Sequence, residues 1–381
     1  MGDLVTGLFM GVFSGKMVVL PALILLIPPS IGLRGNIYAS LGSRLSSYLH
    51  TGRITPKLEF DPKIADNIYS SSFLLLVFSM FSGFVAAKIA ILMGWASSFW
   101  EIAFDLTLIS ALSGFLSIIF MLPSTLVLSI GSYKWGWDPD NLTAPIITLF
   151  GDLLTLPLIF LCVDVVFAVT YVVKVALIVF LVFFAVVMFI LSIKSKEEIA
   201  KRITKESVPI LTFCAILQFG AGTILGVEVE SLITITGLLT IIPAFLEDGG
   251  AMGGILSARF STMLHLGSLK PTLKIDNKVF SHFISMHLLG MIIFAMVGLF
   301  GQMVNFVLNL PTIPTLEMVI VTVVAGQLLV VLLNFLSYYF SIVSFKKGFD
   351  PDNVGIPMIT SFMDILGSFC LILVLKLFGI I

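Results

Sequence analysis

Charged residues are scarce in this chain, and that scarcity excludes most classes of protein. Of the 381 residues only 11% are charged and 58% are hydrophobic, and the mean hydropathy is +1.13. A soluble domain does not need so large an apolar fraction, so the composition indicates an all-α polytopic membrane protein. Because every polar loop is short, we expect no soluble regulatory domain within this chain.

Cysteine is equally sparse. The three cysteines, Cys162, Cys214 and Cys370, lie far apart within apolar runs. That spacing excludes a disulfide framework and a thiolate metal centre, and it favours small residues packed in the core. The net charge is −1, and we expect neither a nucleic-acid partner nor a prosthetic group.

Apolar runs predict about ten or eleven membrane spans. Two of the longer runs, 17–48 and 230–264, contain several prolines and glycines, which predicts broken helices that line a cavity or are buried in protein. The runs lie at about 4–14, 17–48, 69–94, 103–133, 142–165, 167–193, 207–226, 230–264, 279–306, 315–345 and 353–378.

Basic residues are confined to alternate loops. One set of loops holds 14 Lys and Arg residues, and the loops between them hold none. Because basic loops stay on the cytoplasmic side, we expect these loops on the cytoplasmic side of the cell membrane and the C-terminus on the outer side. The segment 194–207 is the most basic, and we expect a short helix there that contacts anionic lipid headgroups. The basic loops follow residues 48, 133, 193, 264 and 345, and the others lie near 95–102, 165–170, 227–230 and 307–314.

One stretch of the chain occurs twice. Residues 138–154 and 350–366 share ten of 17 positions at a constant offset of 212, beginning with Asp-Pro-Asp-Asn in both copies. In each copy an aspartate, Asp152 or Asp364, follows the Asn by eleven residues. At 1.5 Å per helical residue that is roughly 16 Å, about half of a hydrocarbon core. A carboxylate near the membrane midplane is costly and indicates a functional site.

A second duplicated block shows that the repeat covers most of the chain. Residues 28–52 match 243–267 at eight of 25 positions with an offset of 215. We therefore predict two five-helix repeats, at 1–165 and 207–381, joined by a linker span and basic segment at 166–206. Because five is odd, a second repeat that followed the first directly would have the inverted orientation. The extra span at 167–193 restores a parallel orientation, which predicts a pseudo-two-fold axis along the membrane normal.

The motifs resemble a known family. Gly32-Leu33-Arg34-Gly35-Asn36 resembles the Gly-x-x-Gly-Asn signature of the MgtE magnesium channels and of their eukaryotic solute-carrier relatives. The Asp-Pro…Pro…Thr…Asp pattern of 138–152 and 350–364 resembles the fifth transmembrane helix of that family. The resemblance implies a pathway on the axis between the two repeats, where Asp152 and Asp364 bind a divalent cation and Asn36 lines the pore.

Further candidate ligands come from the residues themselves. Thr148 and Thr360 precede the two aspartates by one turn on the same helix face. Oxygen ligands of this kind suit Mg²⁺, with Mn²⁺ and Co²⁺ as other cargo. In the second repeat, Glu247 and Asp248 stand where the first has Gly32 and Leu33. These acids could form a second cation site, couple Na⁺ or H⁺, or pair with Arg34.

The sequence therefore predicts a transporter of divalent cations, with Mg²⁺ as the expected cargo, rather than an enzyme. An exchanger or exporter coupled to Na⁺ or H⁺ is the alternative, and an intramembrane enzyme is a distant one, since no nucleophile motif or paired base accompanies the aspartates. The expected partners are the divalent cation and membrane lipids. Because the two repeats are fused, a monomer would suffice for function.

Overall fold

The computed structural model describes residues 2–57, 59, 61–137, 139–194, 199–347 and 356–381, without the side chains of Asp3, 139–145, His265 and Ile356. Helices, and no strands, make up the regular structure of this described part, which confirms the predicted all-α class. The helices are α1 (Gly2–Val12), α2 (Ser14–Val19), α3 (Leu23–His50), α4 (Pro62–Leu92), α5 (Phe99–Lys134), α6 (Pro139–Ala168), α7 (Tyr171–Lys194), α8 (Ile199–Val227), α9 (Val229–Thr234), a 3-10 turn (Thr236–Leu238), α10 (Ile242–His265), α11 (Asn277–Leu308), α12 (Thr315–Lys346) and α13 (Ile356–Leu377).

Within the described ranges, nine helical stretches are long and apolar enough to cross a membrane. They lie on α4 to α8 and α10 to α13, so the protein is polytopic. The count is lower than the ten or eleven expected, because α1 and α3 do not qualify. Helix α1 has 11 residues, or roughly 16 Å of rise, which is too short for a crossing. Helix α3 is long enough at 28 residues, but it contains two arginines and two prolines.

The helices form two compact units. One comprises residues 25–215, and the other combines residues 1–24 with 216–381. In the second unit α1 packs on α10 and α11, and a Cβ on Gly7 would lie only 1.8 Å from the carbonyl oxygen of Thr240. Glycine therefore permits this contact between backbones. This grouping concerns compactness and not duplication, so the repeat boundaries drawn from the sequence stay a prediction.

Equivalent helix pairs pack in the same way in the two units, as the sequence duplication predicts. On α4, a Cβ at Gly83 would lie 2.4 Å from the Cα of Thr107 on α5. On α11, a Cβ at Gly298 would lie 2.9 Å from the Cα of Val319 on α12. Gly298 follows Gly83 by 215 residues and Val319 follows Thr107 by 212, which are the offsets of the two duplicated blocks. The helix pairs α4–α5 and α11–α12 therefore cross at equivalent positions.

The expected helix breaks fall earlier than the glycines and prolines suggested. The chain breaks at residues 20–22, before α3, and at 235–241, before α10. Pro28 and Pro29 lie inside α3, in its second turn, where they remove only two hydrogen bonds near the helix start. The glycines of α10 are also helical, which packing against neighbouring helices permits in a membrane protein.

The basic segment also differs from its prediction. Residues 195–198 lie outside the described residues, and the chain from Ile199 onward belongs to the long helix α8 rather than to a separate short helix. In its first turns Arg202 Nε lies 2.8 Å from Glu206 Oε1, four residues later. Arg202 and Glu206 are both exposed, so this ion pair contributes little to stability.

Candidate functional site

In the unit of residues 25–215, helix α3 crosses α6 beside the predicted site. A Cβ on Gly35 would meet Thr148 Cγ2 at 3.7 Å, an ordinary van der Waals distance. Farther along the same face of α6, the Thr155 backbone carbonyl accepts a hydrogen bond from Arg34 Nη1 at 3.4 Å. Thr148, Asp152 and Thr155 have the spacing of one helix face. Asp152 thus lies between two contacts with α3.

Asp152 is buried at this crossing, with 3% of its surface exposed. It has interactions within the structure, so it is not an isolated charge. The Thr155 hydroxyl donates to the Gly151 carbonyl at 2.7 Å, within its own helix. The Thr155 hydroxyl is therefore engaged within α6. The other polar groups of α6 at this crossing are Asp152 and Thr148, which lie against α3.

Asn36 follows Gly35 on α3 and carries an unmatched polar group. Its side-chain nitrogen is buried and has no hydrogen-bond partner among the described residues. Buried polar groups are normally bonded to protein or water. Rotating the amide by 180° would direct its carbonyl oxygen to the same place. The choice between these two orientations is an assignment and not an observation. Either end of the Asn36 amide can therefore stand at this place, as a donor or as an acceptor.

The other unit repeats this crossing with α10 and α13. A Cβ on Gly250 would meet Thr360 Cβ at 3.6 Å, matching the contact between Gly35 and Thr148. Deeper along the pair, a Cβ on Gly367 would meet Leu246 Cδ2 at 2.8 Å. Asp364 falls between these two contacts and is half-buried. Each unit therefore presents an acid at the same level of an equivalent crossing.

A glutamine that the sequence interpretation missed contacts the second acid. Gln218 on α8 is 2% exposed and makes a side-chain hydrogen bond to Asp364. Its amide nitrogen also lies 3.5 Å from Ser361 Oγ. The signal that could have revealed it is its amide group within the apolar run 207–226. The acid of this unit thus has a neutral donor beside it.

Glu247 and Asp248 lie on α10, just before Gly250. Because Leu246 reaches Gly367 and Gly250 reaches Thr360, the two acids lie on α10 at the level of Asp364. Both are half-buried, and both have interactions within the structure. The carboxylates of this unit are therefore more numerous at this level than those of the other unit.

Contacts or surface exposure account for several further ionisable residues without a metal. These residues are Arg44, Arg259 and three of the four histidines. Arg44 Nε donates to Asn67 Oδ1 at 2.7 Å, whereas Arg259 is exposed. The histidine contacts are His50 with the Tyr133 ring, His282 with the Phe260 ring, and His287 Nδ1 with Gln327 Oε1 at 2.7 Å. Among the residues with described side chains, no three His, Cys, Asp or Glu residues form a group that could hold a metal ion.

The two Asp-Pro-Asp-Asn motifs cannot be placed in the same way. Asp138 and residues 348–355 lie outside the described residues, as do the side chains of 139–145. Asp, Pro and Asn favour turns and helix N-caps, and that role is a prediction for both motifs.

Comparisons with known proteins match both halves of the chain. A family model named MgtE and described as a divalent cation transporter matches residues 27–162 and 242–374. Solute carrier family 41 member 3 of Rattus norvegicus is 27% identical over 364 residues, which cover 91% of this chain and 77% of that protein. Member 2 of the same family from Mus musculus is 27% identical over 367 residues, which cover 90% of this chain and 62% of that protein. No solved structure matches the chain.

Proposed function

This chain belongs to the MgtE family of divalent cation transporters, and from that premise we propose that Mg²⁺ is the ion it moves and that Asp152 and Asp364 bind it. The observation that supports this most is the equivalence of the two crossings. In each unit a glycine of one helix meets a threonine of another, and an acid follows that threonine by four residues. Duplication that preserves a costly buried acid twice favours a shared role in binding the cargo.

The chemistry of the paired acids suits a divalent ion. Two carboxylates on one site repel each other at low dielectric, so a cation or a proton must compensate them. Mg²⁺ prefers oxygen ligands, demands octahedral geometry and keeps several waters. Two aspartates, with Thr148, Thr360 and the Asn36 amide as further oxygen donors, provide such a ligand set. That both acids share one ion rests on the duplication and on the family resemblance.

A coupled exchanger is the second candidate. Glu247 and Asp248 lie on α10 at the level of Asp364, where the first repeat has Gly32 and Leu33. Extra carboxylates beside one acid of a pair can bind Na⁺ or a proton while the pair binds the divalent ion. The distant alternative of an intramembrane enzyme is not supported, because the family consists of transporters.

Membrane lipids are the second class of partner that we propose. An open surface depression on α8 is lined by the exposed side chains of Lys201, Arg202, Lys205 and Glu206. Basic groups at the cytoplasmic end of a span attract anionic headgroups, each contributing about 1 kcal/mol near the surface. We propose that this end of α8 faces the cytoplasm, that the protein lies in the cell membrane, and that its C-terminus is outside. We expect a monomer to transport the ion.

Flux into proteoliposomes tests the function. We expect uptake of Mg²⁺, with Mn²⁺ and Co²⁺ competing better than the larger Ca²⁺. Measurements with and without a Na⁺ or proton gradient distinguish a channel from an exchanger. Asp152→Asn and Asp364→Asn should each abolish most of the flux, whereas Asp164→Asn, at an exposed position of α6, is the matched control. Full uptake by either of the first two variants would contradict the proposed site.

A further inference from the structure

A buried arginine contacts α6 one turn beyond Asp152. Arg34 on α3 is 2% exposed, its Nη2 donates to Ser113 Oγ on α5 at 2.8 Å, and its Nη1 reaches the Thr155 carbonyl at 3.4 Å. Thr155 follows Asp152 by three residues, which is one turn on the same face of α6. A fixed positive charge is therefore held against α6 one turn beyond the first acid.

The other unit fills the same position with a leucine. A Cβ on Gly249 would lie 2.7 Å from Leu329 Cδ2, and a Cβ on Gly367 would lie 3.4 Å from the same atom. Leu329 thus occupies, between α10 and α13, the place that the Arg34 side chain takes between α3 and α6. The offsets of 215 and 212 pair Arg34 with Gly249, Ser117 with Leu329, and Thr155 with Gly367.

The comparison separates packing from charge. In one unit the apolar side chain of Leu329 fills the place that Arg34 takes in the other, so the crossing does not require an arginine. A buried guanidinium in a membrane is costly, and replacing buried charges by well-packed apolar groups is often neutral or stabilising. Arg34 also binds neutral acceptors, the Ser113 hydroxyl and a backbone carbonyl, which solvate its charge without cancelling it. An electrostatic role explains why the charge is there.

We propose that Arg34 is a built-in counter-charge that limits how tightly Asp152 holds the divalent cation. Without cargo, the positive guanidinium offsets part of the negative charge of the Asp152 carboxylate. With cargo bound, it repels the ion and promotes its release, which a transport site requires because tight binding slows the exit of the ion. The inference rests on the proposed function, in which Asp152 binds the transported ion.

Neutralising Arg34 should therefore tighten binding and slow transport. For Arg34→Met we expect the Kd for Mn²⁺, measured by titration of purified protein, to fall by on the order of 10-fold to 100-fold, as expected from removing a unit charge within about 10 Å of a divalent ion. Maximal flux in proteoliposomes should fall at saturating Mn²⁺. Arg34→Lys keeps the charge and should restore both values to near those of the unchanged protein.

A second variant keeps the test valid if Arg34→Met folds poorly. Arg34→Gly with Ser117→Leu transplants the apolar arrangement of the other unit, and Tyr38→Phe can be added because Ser117 donates to the Tyr38 hydroxyl at 3.3 Å. We expect this variant to melt at or above the temperature of the unchanged protein and to bind Mn²⁺ more tightly. Weaker or unchanged binding in a folded variant would overturn the proposal, and so would failure of this variant to fold.

Asp152→Asn, measured in parallel, distinguishes the two ways of failing. If that variant binds Mn²⁺ as the unchanged protein does, the proposed function fails at its first residue. If it loses binding while the Arg34 variants bind no more tightly than the unchanged protein, only the counter-charge fails, and Arg34 is a structural link between α3, α5 and α6.

Discussion

Replacing each aspartate by asparagine keeps the side-chain shape and removes one charge, which makes Asp152→Asn and Asp364→Asn the sharpest test of the ion site. A hydrogen bond or ligand contact that involves a charged group contributes about 1.5–3 kcal/mol, or roughly 10-fold to 150-fold in Kd. Asp152 is 3% exposed, whereas Asp364 is half-buried. Because water screens the less buried acid, Asp364, more strongly, we expect the larger loss at Asp152.

The double variant decides whether the two acids share one ion. If they do, removing the second acid from a site that has already lost the first costs little more, so the double loss should be well below the sum of the single losses. Stability without cation should stay level or rise in each single variant, because one of two repelling carboxylates is gone. The assay is Mn²⁺ titration of the purified protein, with thermal melting in the absence of divalent ions.

Two outcomes would refute this reasoning. Additive losses would show two separate sites, one in each repeat. Full binding by either single variant would show that the acid in question serves the structure, through hydrogen bonds such as the one that Gln218 makes to Asp364. Asp164→Asn, exposed on α6, controls for the general effect of removing a carboxylate from that helix.

Three further predictions concern topology, coupling and packing. Cysteines introduced at 194–206 should be shielded from an impermeant reagent added outside, and those at 307–314 should react; external labelling of 194–206 would contradict the parallel repeats. Glu247→Gln with Asp248→Asn should abolish any dependence of flux on Na⁺ or protons while divalent binding persists; unchanged coupling would assign both acids to the structure. Gly83→Val should lower the melting temperature in detergent, equivalent to about 1–3 kcal/mol, because its Cβ would overlap the α5 backbone.

The control for the glycine variant is Gly131→Val. No heavy atom outside its own helix backbone lies within 4 Å of a Cβ built on Gly131. A similar fall in melting temperature in both variants would show that the helix propensity of valine, and not the close contact between α4 and α5, causes the loss.

The sequence by itself determined the membrane class, the duplication and the position of the two acids. Each of these depends on information that is local or periodic along the chain. Hydropathy reports the solvent of a span, and a constant offset reports a repeat whatever the fold. A carboxylate in the middle of an apolar run, such as Asp152, stands out for the same reason, because its cost depends on the run and not on its neighbours in space.

Only the tertiary structure decided which groups surround those acids. Gln218 contacts Asp364, and Arg34 bonds across to Ser113 and Thr155, through the register at which long helices cross. A shift of one residue in that register would turn each side chain away by about 100°, and nothing in the apolar runs fixes it. The same register places Leu329 where the other unit has an arginine. Close packing of small residues, as at Gly83, sets these crossings, and it is a property of two surfaces and not of one sequence segment.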